Sequence, residues 1–96
     1  MSIIVQKYGG TSIGTIEKIS LVADKVIAER NKGNEVVVVV SAMSGETNKL
    51  LDLAKCIDTD ISGRELDVLV STGEQITISL LTLSLIKKGH KAVSLT

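Results

Sequence analysis

The strongest constraint on how this 96-residue chain folds is the run Val36-Val37-Val38-Val39-Val40. Consecutive β-branched residues with no polar alternation predict a strand buried on both faces, and helices on both sides of a parallel sheet are the usual source of such burial. Upstream, Ile3 to Tyr8 is a second strand candidate. Between them, from about Thr15 to Lys32, the residues Ile16, Ile19, Val22, Ala23, Val26 and Ile27 recur at three- and four-residue spacing, one face of a helix. Thr15 suits the start of that helix and Gly33 the position after its end. Strand, helix and strand in this order predict a right-handed βαβ unit with parallel strands. The loops after both strands then open at the same end of the sheet, where open α/β sheets bind ligands.

Beyond the valines, Ser41 to Thr47 is a loop dominated by small and hydroxyl residues. A helix is predicted from about Thr47 to Ile57, with Leu50, Leu51, Leu53, Ala54 and Ile57 as its apolar set. Asp58 to Gly63 reads as a loop. Arg64 to Lys88 is helical again, with Gly73 predicted to separate two helices or kink one. Lys87 and Lys88 suit a helix C-terminus and Gly89 its cap. Ala92 to Leu95 is predicted to begin a third strand. Three strands make a thin sheet, and the pattern stops where it should continue. The expectation is therefore the N-terminal part of a longer protein.

Composition narrows the partners. The chain has no proline, tryptophan or phenylalanine, and Tyr8 is its only aromatic residue, so the core must be Ile, Leu, Val and Ala. Eleven basic and eleven acidic residues cancel, which argues against nucleic acid or an anionic membrane as the main partner. Cys56 has no partner for an internal disulfide and suits a reducing cytoplasm. The N-terminus lacks the charged and apolar regions of a signal peptide. The apolar tract Ile76 to Ile86 is broken by Thr77, Ser79, Thr82 and Ser84, too short and too polar to span a bilayer.

The candidate chemistry starts at the end of the first strand, in Lys7-Tyr8-Gly9-Gly10-Thr11-Ser12, followed two residues later by Gly14. Glycines let the backbone approach a ligand. The start of the next helix offers N–H groups and a favourable dipole for an anion. Lys7 adds a point charge and Thr11 and Ser12 add hydroxyl donors, so the natural guest is a phosphate. Lys7 is placed to neutralise a transferring phosphoryl group, although a solvated lysine at a strand end is equally compatible with the spacing. Ser41, Ser44 and Thr47 either bind a polar or anionic small molecule or serve the next helix, with Ser44 as its N-cap and Glu46 and Thr47 in its first turn. Glu74, between two apolar runs, either holds a substrate ammonium or is a helix-start carboxylate beside a Ser71-Thr72 cap. Arg64, Glu65 and Asp67 read as surface charge, Cys56 as a passive small side chain and His90 as solvent-facing. No second histidine is present to complete a metal site with His90. Neither a Walker A sequence nor a Gly-x-Gly-x-x-Gly fingerprint is present, which disfavours P-loop and standard Rossmann enzymes.

Four strings, in order, resemble the aspartate kinases of the amino acid kinase family: Val5 to Ser12, Val37 to Thr47, Arg64-Glu65-Leu66-Asp67, and Ser71-Thr72-Gly73-Glu74-Gln75. The resemblance covers essentially the whole chain. It implies a three-layer α/β/α sandwich with a mainly parallel sheet, of which this is the N-terminal portion. It implies transfer of phosphate from MgATP to the side-chain carboxylate of L-aspartate, giving 4-phospho-L-aspartate, the entry step to lysine, threonine and methionine. By motif match, Lys7 stabilises the phosphoryl group in flight. Lys7, Tyr8, Gly9, Gly10, Thr11 and Ser12 hold ATP phosphates, Ser41 lies between the substrates, and Thr47 and Glu74 bind aspartate. ATP with Mg2+ enters as a substrate complex, with no resident metal site in this segment, and the full-length enzyme is a homo-oligomer. Family members continue well beyond this length, with most of the base pocket and the ACT regulatory domains further on. The 96 residues alone are therefore expected to be inactive. The alternative is a non-catalytic fragment that binds a phosphate ligand or associates with a full-length kinase subunit.

Overall fold

The computed structural model describes residues 1–95. Strand β1 (Ile3–Tyr8), helix α1 (Ile16–Asn31), strand β2 (Glu35–Val40), helix α2 (Glu46–Ile57) and helix α3 (Arg64–Lys87) follow one another along the chain. The strands pair in parallel, from Ile3 opposite Glu35 to Tyr8 opposite Val40. This is the βαβ unit expected from the sequence, and it brings both strand ends to one edge of the sheet.

Helix α1 is bounded as its end residues dictate. Thr15 is extended, and its hydroxyl oxygen accepts from the Lys18 backbone N–H at 3.2 Å, supplying one of the bonds missing at a helix start. At the other end Gly33 takes φ +89° and its N–H donates to the Arg30 carbonyl at 2.9 Å. Ile19, Val22, Ala23 and Val26 are buried, whereas Ile16, in the first turn, is left exposed.

Helix α3 is one continuous helix, so Gly73 neither ends it nor divides it. Gly73, Thr77, Leu81 and Leu85 are buried. Their four-residue spacing makes a single stripe along the helix, which packs against α1, α2 and β2. Ser71 and Thr72 do not cap a helix start. They lie inside α3 and donate to the Val68 and Leu69 carbonyls at 2.7 and 2.6 Å. Thr77, fully buried, donates to the Gly73 carbonyl at 3.3 Å. Back-bonding to the helix's own carbonyls lets an apolar helix carry these hydroxyls. On length and composition alone α3 would be long and apolar enough to cross a membrane. In this fold its buried stripe makes it the central helix.

The core consists of Ile13, Ile19, Val22, Ala23, Val26, Val40, Leu81 and Leu85, with Tyr8, Val36 and Val38 packed against it. Both α1 and α3 therefore lie on the sheet face that carries Tyr8, Val36, Val38 and Val40. On the other face Ile3, Val5, Val37 and Val39 are 68, 60, 50 and 46% exposed. The expectation that the valine strand is buried on both faces is thus corrected: successive side chains alternate, and the described residues supply helices to one side. The α/β class with a parallel sheet stands.

Two further expectations change. Only Ala54 of the apolar set on α2 is buried, and Leu53 and Ile57 face outward. Ala92 to Leu95 form no strand. Ala92 rests against the core, while Val93 and Leu95 are largely exposed. A strand needs a ladder partner, and the sheet of the described residues has only β1 and β2.

Candidate active site at the strand ends

The loop after β1 is held from within. The Ser12 N–H donates to the Gly9 carbonyl at 3.0 Å, closing a turn, and the Ile13 side chain is 0% exposed in the core. Thr11 and Ser12, immediately before that anchor, stay exposed. Lys18, from the first turn of α1, donates from Nζ to the Thr11 carbonyl at 2.9 Å. Thr11, Ser12, Lys18, Leu21, Val22 and Lys25 line an open hollow of about 380 Å³. Two cations and two hydroxyls give it the character of a shallow anion-facing surface.

The loop after β2 docks directly on the first. The Ser41 N–H donates to the Tyr8 carbonyl at 3.3 Å and the Ser44 N–H to the Gly10 carbonyl at 3.2 Å. Gly10 leaves room for this close approach. A β-carbon on it would stand 3.1 Å from the Ala42 oxygen and 3.4 Å from the Ser44 nitrogen. Ser44 is exposed and makes no cap. Gly45, at φ +86°, occupies the position before α2 and there is no side-chain cap bond. The left-handed glycine delays the helix by one residue, so Ser44 contributes through its backbone instead.

Helix α3 reaches the same place from behind. Gly73 is buried against Ala42, Leu50 and Glu46, and Glu74, the next residue, is exposed. Thr47 is half-buried in the first turn of α2. The two residues assigned to aspartate by resemblance thus flank the crossing of α2 and α3.

The residues assigned to phosphate by resemblance surround the end of β1. Lys7 pairs in register with Val39 on the open face, whereas Thr11 and Ser12 border the hollow beside α1. Gly9 and Gly10 lie between. The Tyr8 ring turns to the helical side. Its hydroxyl donates to Gln6 Oε1 at 2.8 Å, and the Lys25 ammonium lies 5.9 Å from the ring centre. Burial raises the Tyr8 pKa above its ordinary 10.0. What Tyr8 offers the loops is its carbonyl, which accepts from Ser41. Arg64 pairs with its neighbour Glu65 at 2.6 Å, both exposed, and Cys56 is exposed. Among the described residues no group of three His, Cys, Asp or Glu side chains is arranged to hold a metal ion.

Sequence reasoning passed over Ile13 and Ala42 and read Gly73 as a break or kink, although all three hold the loops in place. Ile13 was visible as the one large apolar residue inside a glycine and hydroxyl turn. For Ala42 and Gly73 there was no local signal, because their contact joins residues 31 positions apart in the sequence.

The sequence matches the amino acid kinase family over residues 2–96. It is 62% identical to an aspartate kinase of Stutzerimonas stutzeri over 96 residues, 100% of this chain and 23% of that protein. Against an aspartokinase of Geobacillus stearothermophilus the identity is also 62%, covering 100% of this chain and 24% of the relative. The chain thus spans about a quarter of the length of these relatives. The fold is similar to the crystal structure of aspartate kinase from Synechocystis, with a TM-score of 0.93 and 49% identity over 97% of this chain and 16% of that one.

Proposed function

The chain belongs to the amino acid kinase family, and from that membership we propose that it is the N-terminal segment of an aspartate kinase catalytic domain. The reaction is transfer of the γ-phosphoryl group of MgATP to the side-chain carboxylate of L-aspartate, giving 4-phospho-L-aspartate and ADP, in the cytoplasm, at the entry to lysine, threonine and methionine synthesis.

The observation that carries this reading is the docking of the two strand-end loops, Gly10 carbonyl to Ser44 N–H at 3.2 Å. It puts a glycine-rich loop and a hydroxyl-rich loop side by side at the carboxyl ends of parallel strands, where ligands of open α/β sheets bind. Phosphoryl transfer depends chiefly on positioning and charge neutralisation. In this reading Gly9, Gly10, Thr11 and Ser12 cradle ATP phosphates with Lys7 and the Tyr8 backbone, and Ser41 lies between the two substrates. Lys7 neutralises the phosphoryl group in transit. Thr47 and Glu74 bind aspartate, Glu74 facing its ammonium. Magnesium belongs to the nucleotide substrate. The remaining catalytic domain and the regulatory ACT domains lie in the rest of the enzyme, which works as a homo-oligomer. The open face of Ile3, Val5, Val37 and Val39 receives the second helical layer of the sandwich there.

The test uses the full-length kinase carrying this segment. Aspartate-dependent ADP release is expected, with Lys7→Ala lowering kcat by about a hundredfold or more. Glu74→Ala is expected to raise the KM for aspartate far more than that for ATP. An unchanged aspartate KM in Glu74→Ala removes its assigned role, and full activity in Lys7→Ala overturns the mechanism. The isolated 96 residues are expected to release no ADP.

A further inference from the structure

The geometry points to Gly73 as a positioning residue for the loop Ser41 to Gly45 and the first turn of α2, acting through Ala42. The inference rests on the proposed aspartate kinase reading and deepens it by naming what holds the aspartate side of the site in register.

Gly73 is buried in the middle of α3, and its φ is not positive. The backbone there is ordinary helix, so alanine would fit it and on propensity would be the better residue by about 1 kcal/mol. Space is what favours the glycine. A β-carbon at position 73 would stand 3.1 Å from Ala42 Cβ, 3.4 Å from Leu50 Cδ1 and 3.8 Å from Glu46 Cβ. The first distance forces something to give. Ala42 is 8% exposed, and its carbonyl faces Gly10, where an added β-carbon would lie only 3.1 Å away. Ala42 is thus held between glycines of two other elements, Gly73 behind and Gly10 in front. A methyl group on Gly73 pushes it toward the Gly10 loop. The Ser44-to-Gly10 hydrogen bond, at 3.2 Å, closes the same junction. The displacement therefore passes into the loop that carries Ser41 and, through Glu46, into the turn that carries Thr47. Close-packed interiors transmit such strain rather than absorb it.

The experiment is a rescue series in the full-length kinase: Gly73→Ala, Ala42→Gly, and both together. Gly73→Ala is expected to raise the aspartate KM about threefold to tenfold, since a misplacement of about 1 Å costs about a hundredfold and the shift needed here is smaller, while the ATP KM moves by less than about twofold. Ala42→Gly removes the methyl group that the new one meets. The double variant is therefore expected to regain the aspartate KM of Ala42→Gly alone. Generic damage to α3 would lower kcat or solubility without this pairwise recovery. A Gly73→Ala enzyme with the parent's aspartate KM overturns the inference, as does a folded double variant that stays impaired. Should Gly73→Ala alone be insoluble, the double variant decides: soluble and active supports the inference, insoluble overturns it. If the parent kinase itself shows no aspartate-dependent ADP release, the functional reading fails and this inference fails with it. An active parent with an unaffected Gly73→Ala sinks only the inference.

Discussion

Lys88, just past the end of α3, places its Nζ 2.6 Å from Asp24 Oδ1 on α1, 64 residues away in the chain. The same ammonium donates to the Ser20 carbonyl at 3.0 Å and to Ser20 Oγ at 2.8 Å. All three of its donors are used, and they tie the last turn of α3 to the middle of α1. The sequence suggested only a lysine suited to a helix C-terminus. Asp24 is 60% exposed and the Lys88 side chain 26%, so the ion pair itself is worth little and the bonds to Ser20 weigh more. Lys88→Met is expected to lower stability by about 1–2 kcal/mol, and Asp24→Asn by less than about 1 kcal/mol. Urea denaturation of both variants checks this. Equal losses would mean that the charge pair, not the Ser20 contacts, holds the helices together.

Ile13 anchors the glycine-rich loop by burying its entire side chain. Ile13→Ala is expected to cost about 2–5 kcal/mol through lost burial and a residual cavity, and Ile13→Val about 0.5–1.5 kcal/mol. The loop should loosen with the core. Amide exchange at Ser12 and Ser44, whose N–H groups bond to Gly9 and Gly10, should quicken in the alanine variant. Unchanged protection at both amides would show that the loop is held independently of Ile13.

Tyr8 reports on its own burial. Its pKa is raised by desolvation, so the folded state keeps the phenol protonated after the unfolded chain has begun to lose its proton. Between the two pKa values the folded state binds more protons, so stability falls with rising pH. The contribution is intact below about pH 10 and is lost as pH climbs through the raised native value. As the only aromatic residue, Tyr8 gives an unmixed ultraviolet tyrosinate signal. Its titration midpoint is expected to lie higher in buffer than in concentrated urea. Coincident midpoints would mean that the ring is fully solvated in the folded chain.

The two faces of β2 differ in what surrounds them. In the 96-residue chain Val37→Thr, on the open face, is expected to change stability by less than about 0.5 kcal/mol. Val40→Thr, on the covered face, should cost about 1–3 kcal/mol for a buried hydroxyl. In the full-length kinase, where the open face is proposed to be covered, Val37→Thr is expected to approach the cost of Val40→Thr. Thermal melts of both variants in both lengths make the comparison. A Val37→Thr cost that stays small in the full-length protein would argue against a second helical layer on that face.

The sequence by itself determined the elements whose causes are local. The β-branched run from Val36 to Val40 specified a strand. The spacing of Ile19, Val22, Ala23 and Val26 specified α1, with Thr15 and Gly33 setting its ends within a residue or so. Lys7-Tyr8-Gly9-Gly10-Thr11-Ser12 marked a strand-end turn because glycine and hydroxyl chemistry is written in the string itself. Tertiary structure decided everything that depends on what lies across a gap. Whether Val37 is covered depends on where α1 and α3 come to rest, and a valine reads the same on either face. Gly73 looked like a break because glycine weakens a helix in isolation. Only the packing of Ala42, whose Cβ would lie 3.1 Å from a β-carbon added at position 73, turns it into the place where helix and loop meet. Ser44 likewise had the side chain of a cap, but Gly45 took the left-handed turn and left Ser44 to bond Gly10 through its backbone. Backbone conformation and side-chain periodicity act over a few residues and are legible in one dimension, whereas steric contact between distant residues exists only once the chain has closed on itself.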